Sequence, residues 1–393
     1  MTVYEQFGDR WGERARLAHD ALALRPSSGI PSAGLHVMDI PFIERVAGRG
    51  PGDYRQNPEQ VYLAFQHRLG TCLIDQFIPR NPLTMGPDGY QPGTERKATT
   101  GAERIVVDGV EIDSAEAVVE HMESVLFPRR AARIDSFDPE DPAVIDGLVS
   151  RECEVQRQFG PGMLKAPYGG GFQDFPHLHY NTYGYLHYFT AYGLYPKAME
   201  RDFAQQADLA ALRNRAGANA VVEGGLPGFV RLDHDMADST GTLVDIRSLE
   251  RIWFPHFARA VEPLLEADIR LVWHCDGNLM QMVPRLIEAG VGGFQGFQYE
   301  AGMDYERICS MSDRHGGPLL IMAGVSVTRT LPFGTPGDVA RELAWLVGNG
   351  PRRGLFLGAS SSITPRTPHE NILALIEGLA HYRQHGRGRI AGR

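Results

Sequence analysis

From residue 161 onward, short and mostly apolar runs alternate with longer stretches whose apolar positions recur three or four apart. The runs fall at 163–167, 220–223, 228–232, 269–273, 293–297, 319–323 and 354–358. Such runs suit strands buried on both faces. Helical patterns separate most of them, most clearly at 249–265, 281–289, 336–348 and 368–382. Earlier in the chain, 34–40 and 71–77 read as the first two strands, with a helix over 59–69 between them. Repeated β-then-α units imply parallel strands joined by right-handed crossovers. With about eight strands, closure into a (β/α)8 TIM barrel is more economical than an open sheet.

Breaks in this rhythm set the expected organisation. Residues 1–30 read as an N-terminal helical extension ending in a Pro-Ser-Ser-Gly linker. A single barrel domain is expected over 31–385, with a lid and excursion at about 78–160 and a basic, flexible tail over 386–393. Within the excursion, 78–100 is rich in Pro, Gly and Asn and reads as a long loop, and Asp108-Gly109 between alternating runs signals a hairpin. Ser114 is placed to cap a helix. Thr335 before Pro336, and Thr367 three residues before Glu370, carry helix-start signals.

The abrupt polarity change at 274–278, His-Cys-Asp-Gly-Asn after the run 269–273, marks a strand end followed by a tight turn. Ligands bind at the carboxyl ends of strands in such sheets. On an extended backbone His274 and Asp276 point to the same side. They could act as acid and orienting partner or share a metal; a hydrogen bond within the turn is the plainer alternative. Asp233 and Asp235 alternate to one side of another strand end and are candidates for substrate positioning or general base, or for a loop-closing cluster. The stretch 177–192 is rich in imidazole and phenol rings. Its His177, His179, Tyr180, Tyr183 and His187 would suit a planar ligand, or equally a homodimer interface. Ser361, in the run Ser360–Ser362, could hold a phosphate or carboxylate, and Gln298 at the next strand end joins the substrate-binding candidates.

Bulk properties narrow the classes. A formal charge of −9 over 393 residues offers no global basic field for nucleic acid or an anionic membrane. Four scattered cysteines without a CxxC fit a reducing compartment. No leader pattern or membrane-length apolar run is visible, so a cytoplasmic protein acting on a small molecule is expected.

His274-x-Asp-Gly-Asn, Leu286–Val291, Ala301-Gly-Met-Asp304, Gly334-Thr-Pro-x-Asp-Val, and the segment 358–372 together resemble the uroporphyrinogen decarboxylase superfamily over about residues 34–383. The resemblance implies a TIM barrel with its site on the carboxyl face. It covers two branches, porphyrinogen decarboxylases and corrinoid-linked methyltransferases. Arg45 and Arg49 match the decarboxylase arginine loop. However, that branch's aspartate falls near Ile78-Pro79, reaching Asp75 only with a gap, and its C-terminal histidine is missing from 359–361. The methyltransferase branch's zinc ligands resemble His-x-Cys plus a later Cys. Here His274 matches, Asp276 stands at the x-Cys position, and Ser360–Ser362 replace the later Cys. A thiolate site is therefore not supported. A divalent metal such as zinc would need harder ligands, His274 and Asp276 with Glu300 from the following strand end or with Asp233 and Asp235 from an earlier one. The expected function is methyl or one-carbon transfer, metal-assisted, with a separate corrinoid protein as partner. The alternatives are a decarboxylase or lyase with Arg45 and Arg49 clamping a carboxylate, and a non-catalytic ligand-binding barrel.

Overall fold

The computed structural model describes residues 2–80 and 104–388. Most of the loop expected over 78–100, and the tail beyond 388, lie outside them. In chain order the strands are β1 (Leu73–Ile74), β2 (Val106–Val107), β3 (Val110–Glu111), β4 (Leu164–Lys165), β5 (Phe229–Asp233), β6 (Arg270–His274), β7 (Val291–Gly296), β8 (Leu320–Val325) and β9 (Leu355–Ala359). The fold is mixed α/β. Strands β5 to β9 pair in sequence order, all parallel. Isolated parallel bridges carry the pairing on, from Leu357 to Ser32 and from Ala33 to Leu73, and β1 pairs in parallel with β4. Hydrogen-bonded neighbours thus run from β5 round to β4. Among the described residues none joins β4 to β5, so the ring expected to close does not close by strand pairing.

Local signals explain most element boundaries. Asp108 and Gly109 both take positive φ, as a two-residue hairpin turn requires, and join antiparallel β2 and β3. Ser114 accepts from the Ala117 amide at the start of helix Ala115–His121. Thr335 and Asp338 form a reciprocal capping box on helix Pro336–Asn349. Thr367 does not cap: its hydroxyl donates to the Thr364 carbonyl, and helix His369–His385 begins without a side-chain cap.

Two expectations fail for identifiable reasons. The run 220–223 is the last turn of helix Pro196–Gly224, not a strand. Its valines continue an alanine-rich stretch of high helix propensity, and Gly225 at φ +58° ends it. This helix packs so closely that a Cβ on Gly217 would lie 1.8 Å from the Gly171 carbonyl oxygen. The pattern over 249–265 is two helices, Ile246–Ile252 and Phe254–Glu266. Pro255 lacks the amide to extend the first helix but suits the first turn of the second. At the N-terminus, helices Val3–Phe7 and Glu13–Leu22 dock near β4: the Tyr4 hydroxyl donates to the Lys165 carbonyl, and Gly12 N–H to that of Pro161. No helix among the described residues is long and apolar enough to cross a membrane.

Candidate active site

Strand register assembles the site. Asp233 on β5 is the direct neighbour of His274 on β6, which neighbours Gln295 on β7, which neighbours Met322 on β8. Side chains in register on parallel strands share a face. All four line a cavity of about 360 Å³ at the carboxyl ends of the strands. The opposite wall brings His36, Tyr62, Asp75 and Gln76, and the rim carries Asp235, Ser361 and Ser362.

One guanidinium dominates the interior. Arg231 points the same way as Asp233 on β5, and its Nε donates to Asp75 at 2.5 Å. Its other nitrogens reach Asp233 at 3.0 Å and Gln76 at 3.3 Å, and Tyr168 lies 5.5 Å beneath it. Burial alone would raise the Asp75 pKa. The Arg231 charge and hydrogen bond, together with the Gln76 amide and the Lys165 charge, outweigh it and hold the carboxyl below its ordinary value. Burial would lower Arg231, but Asp75 and Asp233 raise it overall. Arg231 therefore braces β5 against the segment after β1, close to the seam where strand pairing lapses. His36, half-buried beside this guanidinium, is pushed down to about 4 by desolvation and by the Arg231 charge, and stays neutral near pH 7.

His274 lies where expected, 8% exposed and lining the cavity, and its Nδ1 has no hydrogen-bond partner. Asp276 does not line that cavity with it. The chain turns at Gly277, whose φ of +86° and 2.5 Å Cβ approach to the Asp238 carbonyl oxygen leave room for glycine alone. The strand itself ends at His274, and Asp276 lies beyond it, outside the cavity lining. There its amide donates to Asp235 and its carboxylate accepts from Ser361. Asp235 lines the cavity in its place. Burial raises its pKa, the Asp276 amide opposes this, and the Asp276 carboxylate raises it further.

The other candidates separate. His177 and His179 line a second cavity of about 420 Å³ with His234. The Tyr180 hydroxyl donates to the Asp235 carbonyl, and that of Tyr183 meets His121 Nδ1, so both brace loops. His187 is half-buried and lines neither cavity. Gln298 is a turn brace, accepting from the Gly277 amide. Arg45 lies against His369 and over Phe42, and neither it nor Arg49 lines the cavity. The expected carboxylate clamp is therefore not assembled there. Glu300 accepts from the hydroxyls of Ser326 and Thr328. Among the described residues no three His, Cys, Asp or Glu side chains gather as metal ligands, so His274, Asp276 and Glu300 do not fit the expected metal. Cys275 points away, its thiol pushed up to about 12 by burial.

Sequence reasoning missed His36, Arg231 and Gln295 as site residues and reached Asp75 only through a gap. Asp75 and Gln295 sit at strand carboxyl ends, which was a usable signal, whereas Arg231 lies mid-strand in β5 and His36 in the segment before helix Ile40–Ala47. Their convergence depends on register between strands, which no single-strand pattern carries.

Fold comparison gives an architectural relative. A methyltransferase from Methanosarcina mazei superposes with a TM-score of 0.58 at 15% identity, covering 94% of this chain and 99% of that one. At that identity the likeness is one of fold. A B12-independent methionine synthase from Shewanella sp. W3-18-1 overlaps 49% of this chain and 57% of its own, at 15% identity and a TM-score of only 0.28. No protein-family model and no curated protein sequence matches the chain.

Proposed function

We propose that this chain is an enzyme of the uroporphyrinogen decarboxylase superfamily that transfers a methyl or other one-carbon group. In this reading the segment at 32–37, β1, β4 and β5 to β9 make up a (β/α)8 barrel with one seam lacking strand pairing. The observation that carries the proposal is the cavity at the strand ends, lined by an imidazole whose Nδ1 has no partner and by a burial-raised carboxyl. The near full-length likeness to a protein named a methyltransferase supports the same reading.

The chemistry suits such groups. An acceptor heteroatom gives its proton to His274 or Asp235. Its freed lone pair then forms the bond to the methyl carbon, while the methyl carrier departs with the old bonding pair. A corrinoid on a separate protein is the proposed carrier. Asp276 and Ser361 hold the Asp235 rim in place. Decarboxylation has less support, because the guanidinium lining this cavity is already committed to Asp75 and Asp233.

The test is demethylation of methylcobalamin, followed by its absorbance, with small thiols and small amines as acceptors. The wild type should turn over. His274→Ala should lose roughly 10²–10⁴-fold, the usual range for a general acid or base. An inactive wild type that instead releases carbon dioxide from carboxylic acids would overturn the reading.

A further inference from the structure

We infer that this cavity takes a compact organic cation, an ammonium carried on a small apolar body, and rejects carboxylates of the same size. The inference rests on the functional reading above only in treating this cavity as the substrate site.

Charge is the first reason. The lining brings three carboxylates, Asp75, Asp233 and Asp235, against one guanidinium, Arg231. That guanidinium is spent: its ion pairs reach Asp75 at 2.5 Å and Asp233 at 3.0 Å. Among the described residues no other Lys or Arg lines the space. A carboxylate entering here would meet like charges and find no free cation. An ammonium would meet acceptors.

The unpaired polar atoms are the second reason. His274 is buried to 8% exposure, and its Nδ1 has no partner; the Gln295 side-chain oxygen is also buried without one. Gln295 is the in-register neighbour of His274 and lines the same cavity. The Gln295 oxygen is an acceptor, and His274 Nδ1 is one in the tautomer protonated at Nε2; buried acceptors left unmade are costly, so this wall favours a ligand that brings N–H donors. Tyr62, Ile74 and Met322 supply the apolar wall against which such a ligand's carbon body packs. A volume of about 360 Å³ lies at the small end of ligand sites, roughly 300–1,000 Å³.

Asp235 gives the proposal a pH signature. Facing it are Asp233 and His274 on the strands, Cys275 and Asp276 on the turn, and Tyr180 and Tyr185 from the covering segment. Burial and the neighbouring carboxylates make it hold its proton to higher pH than an ordinary aspartate. A cation binds the ionised form, so binding should strengthen as pH rises through that raised value.

The experiment is calorimetric titration of the full chain with butylammonium and, separately, butyrate, at several pH values from about 5 to about 8. Butylammonium should bind and butyrate should not. Asp235→Asn should weaken butylammonium at least about tenfold and flatten the pH trend. Should that variant misfold, the pH trend in the wild type still decides. Butyrate binding as well as or better than butylammonium overturns the inference, as does affinity indifferent to pH and to Asp235→Asn, or no ammonium binding at about 10 mM. Ammonium binding without methyl transfer would sink the proposed function and leave this inference standing.

Discussion

Two histidine-bearing hollows flank the end of β5, and the alternation of one tripeptide sorts them. Asp233 and Asp235 turn into the cavity with His274, whereas His234 between them turns into the cavity with His177. In the second hollow the protein completes the imidazole of His234 itself. His234 Nε2 accepts from the Leu178 amide at 2.9 Å, and its ring lies 4.4 Å from that of His177. Burial holds both rings well below the ordinary histidine pKa, His177 at about 4. In the first hollow His274 Nδ1 is left unmade. An imidazole satisfied by its own chain serves the fold; one left open beside carboxylates serves a ligand.

Substitutions should separate the two hollows. Arg231→Ala should have the largest effect on stability, because it leaves the half-buried carboxylates of Asp75 and Asp233 without their cation. A loss of about 3–5 kcal/mol is expected in urea melts. Arg231→Lys should recover only part of it, since an ammonium cannot reproduce the fork. His274→Ala should abolish most turnover yet shift stability by less than about 1 kcal/mol, because no internal hydrogen bond to Nδ1 is lost. His234→Ala should do the reverse: a loss of about 1–3 kcal/mol from the orphaned Leu178 amide, with turnover retained below the melting temperature.

A smaller effect follows from pH. His177 and His234 have folded pKa values depressed below 6.5, so between 6.5 and about 4 the unfolded chain binds more protons than the folded one. Stability from these rings is fully present above 6.5 and is lost as pH falls through that window. Urea melts at about pH 7 and about pH 5 should differ in the wild type. They should differ less in His177→Gln. The smallest effect is expected from Arg49→Ala, within about 0.5 kcal/mol and without change in ligand binding, since Arg49 does not line the cavity.

Much of this arrangement was legible in the sequence where one strand carries the signal. The runs at 228–232, 269–273, 293–297, 319–323 and 354–358 became β5 to β9 because burial on both faces demands continuous apolarity. His274 was found by its place at a strand end. Asp276 does not line the cavity, because period-two alternation stops where the strand stops, at His274. The layer Asp233–His274–Gln295–Met322 was not legible, since inter-strand register is set by packing rather than by any one segment. Arg45 and Arg49 were chosen by resemblance alone, and a matching motif does not fix which way a loop arginine faces.

The most direct test of the account compares the two histidines in one assay, methylcobalamin demethylation by His274→Ala and His234→Ala at a temperature where both variants are folded. His274→Ala should lose at least about 100-fold while His234→Ala stays near the wild type. A normal rate in His274→Ala alongside a collapsed rate in His234→Ala would move the chemistry to the other hollow and contradict it.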